Sequence, residues 1–288
     1  MIRLKSLQSG LAFAALFLFA LPAFTQVFCT PDNKSRCENL LSDLQKENWQ
    51  NLPIHAVATS IGQRFLGTPY VAKTLEIEGE EQLVVELSGL DCTTFLENIV
   101  VFSRLARQNR LNYDDYLAEL EHLRYRNGKE EGYPSRLHYF SDWIYQNAQK
   151  GIVEDVTQAC GGQPYVKPIQ FMSTHTSAYR QLADPSFVKE IQATEKEISA
   201  RNYYYIPKAE IARNQDKIHS GDLIAITTSI AGLDIVHVGV AVKQNGQTHL
   251  LHASTGSMKV EVSEKTLSDY LAGNKSQSGI MVCRLKEI

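Results

Sequence analysis

Apolar residues recur at helical spacing through the first part of the chain. The clearest stretch follows Asp91, where Phe95, Leu96 and Ile99 fall on one helical face and the pattern continues to Leu105. Asp91 is a residue type that caps helix N-termini, so we expect a helix to begin directly after it. Further helical stretches are predicted over 32–66, 113–123 and 139–149.

The last third of the chain changes to short β-branched segments bounded by glycine, which is typical of strands joined by turns. Strands are predicted over 222–228, 235–242, 248–254 and 279–285, with an earlier one over 83–87. Residues 125–220 are interrupted by proline and glycine and predict loops and short helices, with no separate domain. Helices followed by antiparallel strands predict an α+β fold.

The composition is that of a globular chain. Hydrophobic residues make up 43% of the 288 positions and charged residues 21%, so a core can form. The formal charge of −3 argues against a nucleic-acid partner, because nucleic-acid binders usually carry a basic surface.

The first residues have the pattern of a secretory signal peptide. Arg3 and Lys5 precede the apolar run 11–21, and small residues follow near Ala23. We therefore expect a signal peptide over 1–25 and a single domain over 26–288 with no membrane span, located in the periplasm or secreted. The run is short for a spanning helix, and an uncleaved anchor is the alternative.

Five cysteines occur, which is an odd number for an exported protein. Cys29 and Cys37 could close a small loop, and Cys160 and Cys283 could pair or remain buried. The sequence leaves these pairings open.

Cys92 has the most informative neighbours of the five, because it follows Asp91 at the predicted helix start. Unpaired N–H groups and the helix dipole favour negative charge there, which is expected to lower the thiol pKa. The alternative is a buried structural cysteine.

Two histidines lie on neighbouring predicted strands. In the strand 235–242, His237 is expected to face away from Val236, Val238, Val240 and Val242.

Asn245-Gly246 predicts a two-residue hairpin loop between this strand and the next. Gln244 then pairs with Gln247, and His252 lies opposite Gly239. His237 and His252 become diagonal neighbours on one face, within reach of a ring-to-ring hydrogen bond.

This constellation is typical of nucleophilic catalysis. Cys92 is the candidate nucleophile, His237 the candidate general base and His252 the residue that orients the His237 ring. The backbone N–H of Cys92 could help to stabilise an oxyanion. Two histidines could also ligate zinc, but no third ligand is evident, so no metal and no cofactor are expected.

At these residues the chain resembles the NlpC-type cell-wall cysteine peptidases, which have a papain-like core. Five segments carry the resemblance: Gly67-Thr68-Pro69-Tyr70, Asp91-Cys92, Gly221-Asp222-Leu223, His237-Val238-Gly239 and His252-Ala253-Ser254. The resemblance implies N-terminal helices, with the cysteine at a helix start, packed on an antiparallel sheet or small barrel. The segment of about 111–215 would be a large helical and loop insertion.

Further motifs resemble the N-acetylmuramoyl-L-alanine amidase-like branch of that superfamily. They are Thr93-Thr94-Phe95-Leu96-Glu97, Gly232-Leu233-Asp234, Arg136-Leu137-His138-Tyr139-Phe140 with Asp142-Trp143, and Phe171-Met172 with His175. This branch implies hydrolysis of the bond between the muramoyl lactyl group and L-alanine in a peptidoglycan fragment. The alternatives are a γ-D-glutamyl-diamino-acid endopeptidase, a transacylase with the same cysteine, and a non-catalytic muropeptide-binding module.

The resemblance also implies candidate substrate contacts. Tyr70, Asp91 and Asp234 belong to its motifs. In the endopeptidase relatives, the aspartate at the position of Asp91 binds the free alanine amine. In an amidase that amine is the scissile nitrogen, so Asp91 would act otherwise, for example as a helix cap. Arg136, His138, Tyr139 and Trp143 could line a sugar site, or could be a partly packed helix face. Tyr203-Tyr204-Tyr205 could likewise be a glycan platform or ordinary packing.

Overall fold

The computed structural model describes residues 26–288. Their helices are α1 (Pro31–Leu44), α2 (Ile54–Arg64), α3 (Cys92–Gln108), α4 (Tyr113–Arg124), α5 (Phe140–Gln149), α6 (Phe171–Thr174), α7 (Pro185–Ser199), α8 (Ile211–Asn214) and α9 (Leu267–Ala272). Their strands are β1 (Val27–Cys29), β2 (Leu83–Val85), β3 (Val153–Asp155), β4 (Gln163–Tyr165), β5 (Tyr203–Pro207), β6 (Leu223–Thr228), β7 (Ile235–Gln244), β8 (Gln247–Ser254), β9 (Lys259–Val262) and β10 (Gln277–Leu285).

An antiparallel sheet forms the centre of the molecule. Its strand order is β4-β5-β10-β6-β7-β8-β9, and β3 also pairs with β10. A separate two-stranded parallel pair joins β1 to β2. The predicted α+β class is confirmed, as are the helical stretches at α1 to α5 and the strands at β2, β6, β7, β8 and β10.

The β7–β8 hairpin has the predicted register. Gln244 pairs with Gln247 and Val240 pairs with Leu251. Asn245 and Gly246 both have positive φ angles, 50° and 80°. A two-residue turn of type I′ needs positive φ at both central positions, which explains why this pair sets the register.

The predicted alternation of side chains between the two faces of β7 is wrong at Val236. Ile226 of β6 pairs with His237 and Thr227 pairs with Ile235, so Val236 is an extra residue in a β-bulge. Val238 belongs to the main core, whereas Val236 packs against a second cluster that contains residues of α8 and α9. The bulge lies directly before His237.

The main core lies between the sheet and helices α2 and α3. Phe95, Leu96 and Ile99 are fully buried, and α3 packs across β7 and β8. This apolar face therefore fixes the start of α3 against the strand that carries His237.

The middle of the chain is more ordered than predicted. α7 is a helix of 15 residues, and β3 and β5 join the central sheet through β10. The helix escaped prediction because few of its residues face inward, among them Ile191 and Ile198. These two residues belong to a third apolar cluster with Tyr133, Tyr139 and Met172.

Two expectations concern the N-terminal part and the cysteines. The predicted signal peptide over 1–25 lies outside the described residues. All five cysteines are free. Burial, followed by the nearby Cys29, raises the pKa of Cys37. Within residues 26–288, no helix has the length and hydropathy needed to cross a membrane.

Candidate active site

Cys92 is the first residue of α3, and Asp91 is its N-cap. One carboxylate oxygen of Asp91, Oδ1, accepts a hydrogen bond from the Thr94 backbone N–H at 2.8 Å. The Asp91 backbone N–H donates to Thr94 Oγ1 at 3.0 Å, which completes a capping box. This local geometry is encoded in the four positions from Asp91 to Thr94 and places the thiol at the helix start.

The thiol pKa moves in the opposite direction to the one expected from the helix start. Burial of the sulfur and the negative charge of Asp91 raise the pKa of Cys92 to about 11. Hydrogen bonds from the Val238 backbone N–H, the Thr93 side chain and the Cys92 backbone N–H act to lower it. Because burial and Asp91 outweigh these donors, the resting group is a neutral thiol.

The contact with Val238 brings the cysteine to the histidines. Val238 is the residue after His237 in β7, and its backbone N–H is near enough to the Cys92 sulfur to lower the thiol pKa. The structure therefore places Cys92 beside the strand segment that carries His237, although the two are 145 positions apart in the chain (237 − 92).

The predicted ring-to-ring hydrogen bond between the histidines is confirmed. His237 Nε2 and His252 Nδ1 lie 2.7 Å apart, and the two rings are nearly perpendicular at 85°. A Cβ added to Gly239 would lie 3.0 Å from His252 Cβ and 2.8 Å from the Leu251 carbonyl oxygen, so glycine leaves room for this pair. We call Cys92, His237 and His252 the Cys92 site.

Both histidines are neutral at neutral pH. Burial, followed by the charge of His252, lowers the pKa of His237 to about 3. Burial lowers the pKa of His252 to about 4, and the carboxylate of Glu261 acts in the opposite direction. The resting site therefore holds a thiol and two uncharged imidazoles.

Two tyrosines border the site. The Tyr270 ring contacts His252 edge-to-face, with ring centroids 5.3 Å apart, and lies 6.5 Å from the His237 ring. Tyr70 is half-buried, and burial and the charges of Cys92 and Asp91 raise its pKa. The Tyr70 N–H donates to the Met258 carbonyl at 2.9 Å, which ties its segment to the loop between β8 and β9.

A pocket of about 450 Å³ is lined by Asp91 and Thr93, the two chain neighbours of Cys92. Arg136 and Tyr139 also line it, whereas Cys92, His237 and His252 are not among its lining residues. The remaining lining residues are Lys73, Leu75, Glu76, Glu97, Arg124, Leu137, His138, Met172, Ala178, Tyr179, Arg180 and Leu233. We call it the Arg136 pocket.

Arg136 is held rigidly in this wall. Its guanidinium is buried, pairs with Glu76 at 2.6 Å and Glu81 at 3.4 Å, and donates to the Leu75 carbonyl at 3.1 Å. Burial acts to lower the pKa of Arg136, but the charges of Glu81 and Glu76 raise it above the ordinary value. The pocket wall therefore carries a permanent cation.

Tyr139 and His138 are also fixed. The Tyr139 hydroxyl donates to Glu195 at 2.6 Å and accepts from the Met172 N–H at 2.8 Å. His138 Nε2 contacts the Tyr133 carbonyl at 2.8 Å, and burial lowers the pKa of His138 well below its usual value.

Two further candidates lie outside the lining of the pocket. Asp234 is buried and accepts a hydrogen bond from the Ser141 N–H at 2.7 Å, in the first turn of α5. Trp143 is fully buried, stacks on Phe140 and donates to Glu97 at 3.3 Å. These contacts are structural in kind, and a substrate role for either residue stays a prediction.

The sequence pattern missed several residues near the site, notably Glu261, Tyr270 and the paired Arg124 and Glu97. Glu261 lies on β9, a strand of four residues that the pattern did not predict. The β8–β9 register places Glu261 opposite His252, and this pairing is visible only in the folded structure. Within residues 26–288, no group of three or more His, Cys, Asp and Glu side chains is arranged to hold a metal ion.

Comparison with known protein families identifies the family of this chain. The family model for N-acetylmuramoyl-L-alanine amidase-like proteins, termed AmiA-like, matches residues 60–280. The chain belongs to the AmiA-like family. The matched segment contains Cys92, His237, His252 and the Arg136 pocket.

Solved structures are similar to this chain over most of its length. An N-acetylmuramoyl-L-alanine amidase from Bacteroides uniformis is 37% identical, with a TM-score of 0.78 over 81% of this chain and 99% of that one. A protein from Bacteroides fragilis described as a putative xylanase is 39% identical, with a TM-score of 0.71 over 78% and 99%. A Legionella pneumophila protein at 22% identity, with a TM-score of 0.66 over 89% and 95%, shares the fold. A comparison with curated proteins found no match.

Proposed function

We propose that this AmiA-like protein is a cysteine amidase that hydrolyses the N-acetylmuramoyl-L-alanine bond of peptidoglycan fragments. The observation that carries the proposal is the hydrogen bond of 2.7 Å between His237 and His252 beside a cysteine at a helix start. A nucleophile, a base and an orienting group are the parts that covalent acyl transfer needs. The family and the amidase from B. uniformis support the choice of bond.

The first half of the reaction forms a thioester. His237 Nε2 is bonded to His252, so Nδ1 is the nitrogen that accepts the Cys92 proton. The sulfur attacks the lactyl carbonyl carbon, and the Cys92 N–H at the helix start stabilises the developing oxyanion. The carbon–nitrogen bond then breaks, and His237 returns the proton to the leaving alanine amine.

The second half releases the sugar product. His237 accepts a proton from water, the hydroxyl attacks the thioester carbon, and the sulfur leaves and recovers its proton from His237. Because the resting thiol has a pKa of about 11 and the histidines are neutral, proton transfer accompanies the attack on substrate.

The Arg136 pocket is the proposed place for the substrate. Its lining includes Asp91 and Thr93, the chain neighbours of the nucleophile, and the buried cation of Arg136. We propose that the fold is of the NlpC type, that 26–288 forms one catalytic domain with 111–215 as an insertion, and that the protein acts in the periplasm or outside the cell.

One observation favours the endopeptidase as the second candidate. The hydrogen bonds that the Asp91 carboxylate makes to Thr94 all use Oδ1, which leaves Oδ2 available at the pocket. A carboxylate there can bind the free alanine amine of a stem peptide, as the endopeptidase reaction requires.

Mass spectrometry of products from a defined disaccharide-tetrapeptide tests both candidates. Release of intact disaccharide and free tetrapeptide supports the amidase, whereas a disaccharide that still carries Ala-Glu supports the endopeptidase. Cys92→Ala should give no product, and Cys29→Ser, which changes a cysteine on β1 outside the central sheet, should cleave normally. Absence of cleavage by the wild-type protein would contradict a hydrolase and favour a binding role.

A further inference from the structure

We propose that Glu261 is a positioning residue of the Cys92 site, which holds His252 in the tautomer that makes His237 a base. The inference rests on the proposed function for its catalytic consequence. Its structural part, the tautomer of His252, can be tested without any substrate.

The register of β8 and β9 places Glu261 directly opposite His252. His252 Nε2 lies 4.0 Å from Glu261 Oε1. Nε2 is buried and has no hydrogen-bond partner, whereas Nδ1 of the same ring is occupied by His237. A buried polar nitrogen without a partner is rare in folded proteins and calls for an explanation.

The tautomers of the two neutral rings are linked by their shared hydrogen bond. If His237 Nε2–H donates to His252 Nδ1, then His237 Nδ1 carries a lone pair and can accept the Cys92 proton. The proton of His252 must then lie on Nε2, where it needs an acceptor. In the opposite arrangement His237 Nδ1 is protonated and cannot act as a base.

Glu261 is the acceptor that selects the first arrangement. The separation of 4.0 Å is longer than a hydrogen bond, so the carboxylate must approach by rotation of its own side chain. No described residue makes a hydrogen bond with the Glu261 carboxylate, whose side chain is 31% exposed, so the rotation breaks no such contact.

The other groups that face His252 do not replace this acceptor. His237 of β7 already bonds the other nitrogen, and Tyr270 of α9 presents its ring in an edge-to-face contact. Cys92 of α3 lies within electrostatic range of Tyr270 and is a neutral thiol at rest. Glu261 is therefore the acceptor that remains for the Nε2–H of His252.

The direct test is the tautomer of His252, observed by nitrogen-15 NMR of histidine-labelled protein and assigned with a His252→Gln variant. We expect the Nε2–H tautomer in the wild type and in Glu261→Gln, whose carbonyl oxygen still accepts. Glu261→Ala should show the Nδ1–H tautomer or a mixture. An unchanged Nε2–H signal in Glu261→Ala would overturn the proposal.

The kinetic test uses the same variants. Glu261→Ala should lower kcat about 10-fold with little change in KM, since partners that orient a functional histidine have effects of this size. Glu261→Gln should recover most of the loss at neutral pH, and exposed Glu264→Ala should behave as wild type. Wild-type kcat in Glu261→Ala, or no recovery in Glu261→Gln, would refute the positioning role.

The two proposals fail separately. Wild-type turnover by Cys92→Ala would refute the cysteine mechanism and leave the tautomer result intact. Loss of turnover in Cys92→Ala together with an unaffected tautomer in Glu261→Ala would refute only the role of Glu261.

Discussion

Two buried polar clusters lie near the start of α3. The buried groups are neutral in one cluster, whereas a buried group stays charged in the other. In the Cys92 site, burial lowers the pKa of both histidines and raises the pKa of the thiol, so all three groups are neutral. In the Arg136 pocket, the guanidinium of Arg136 stays charged because Glu76 and Glu81 contact it.

The two clusters differ in whether neighbouring residues supply an opposite charge to the buried group. A buried charge is retained where an opposite charge and hydrogen bonds compensate for lost hydration, and is neutralised where they do not. The Cys92 site is thereby prepared for proton transfer, and the Arg136 pocket is prepared to hold a fixed shape and charge. Substitutions can test each half of this comparison.

The largest expected effect is on the proton shuttle. His237→Ala should lower kcat/KM by roughly 1,000-fold, because it removes the general base, and His252→Ala by roughly 100-fold, because it removes only the orienting contact. Steady-state kinetics on the disaccharide-tetrapeptide measures both, with circular dichroism to check the fold. The reverse order would mean that His252 carries the proton.

Removal of the buried cation should be the largest effect on stability. Arg136→Ala leaves Glu76 and the buried Glu81 without their cation, so we expect a loss of about 3–5 kcal/mol in the free energy of unfolding. Urea denaturation at neutral pH gives the value. Arg213→Ala, which breaks an exposed pair with Glu210, is the matched control and should cost at most about 1 kcal/mol. Equal losses in the two variants would show that burial of the Arg136 pair is unimportant.

Acid should destabilise the Cys92 site through its neutral histidines. The folded pKa values, about 3 and about 4, lie below the unfolded value, so below about pH 6.5 the unfolded chain binds protons that the folded chain does not. Stability is therefore full above that pH and falls as the pH decreases.

Between pH 7 and pH 5 each histidine should account for about 2 kcal/mol of lost stability. Urea denaturation of the wild type and of His252→Gln at both pH values measures this contribution. The variant should lose less than the wild type over this interval. An identical loss in both proteins would show that His252 is not held neutral in the folded state.

Each half of the Cys92 site could be predicted from the sequence because each half is local, whereas the meeting of Cys92 with His237 across 145 positions was implied only by the family resemblance. The Asp91 cap and the Asn245-Gly246 turn each act within a few residues, and the turn fixes which histidines become neighbours. The Arg136 pocket could not be predicted in the same way. Its contacts join Arg136 to Glu76 across 60 positions and Tyr139 to Glu195 across 56, and no local pattern encodes such pairs.

The sign of the thiol pKa shift was wrong for a related reason. The helix start is visible in the sequence, whereas the burial of the sulfur depends on the packing of α3 against β7 and β8, which forms only in the folded chain. The sequence shows the local N–H donors that lower the thiol pKa, but not the tertiary burial that raises it more.

The smallest expected effect concerns the charge of Asp91. Asp91→Asn removes a negative charge that raises the thiol pKa, and asparagine caps helices about as well as aspartate. Iodoacetamide should therefore alkylate Cys92 a few-fold faster at pH 8 in this variant, because alkylation follows the thiolate fraction. Asp114→Asn, on exposed α4 surface, should leave the rate unchanged. A slower reaction in Asp91→Asn would show that the carboxylate helps to form the thiolate. The Cys92 site would then stabilise a buried charge, as the Arg136 pocket does.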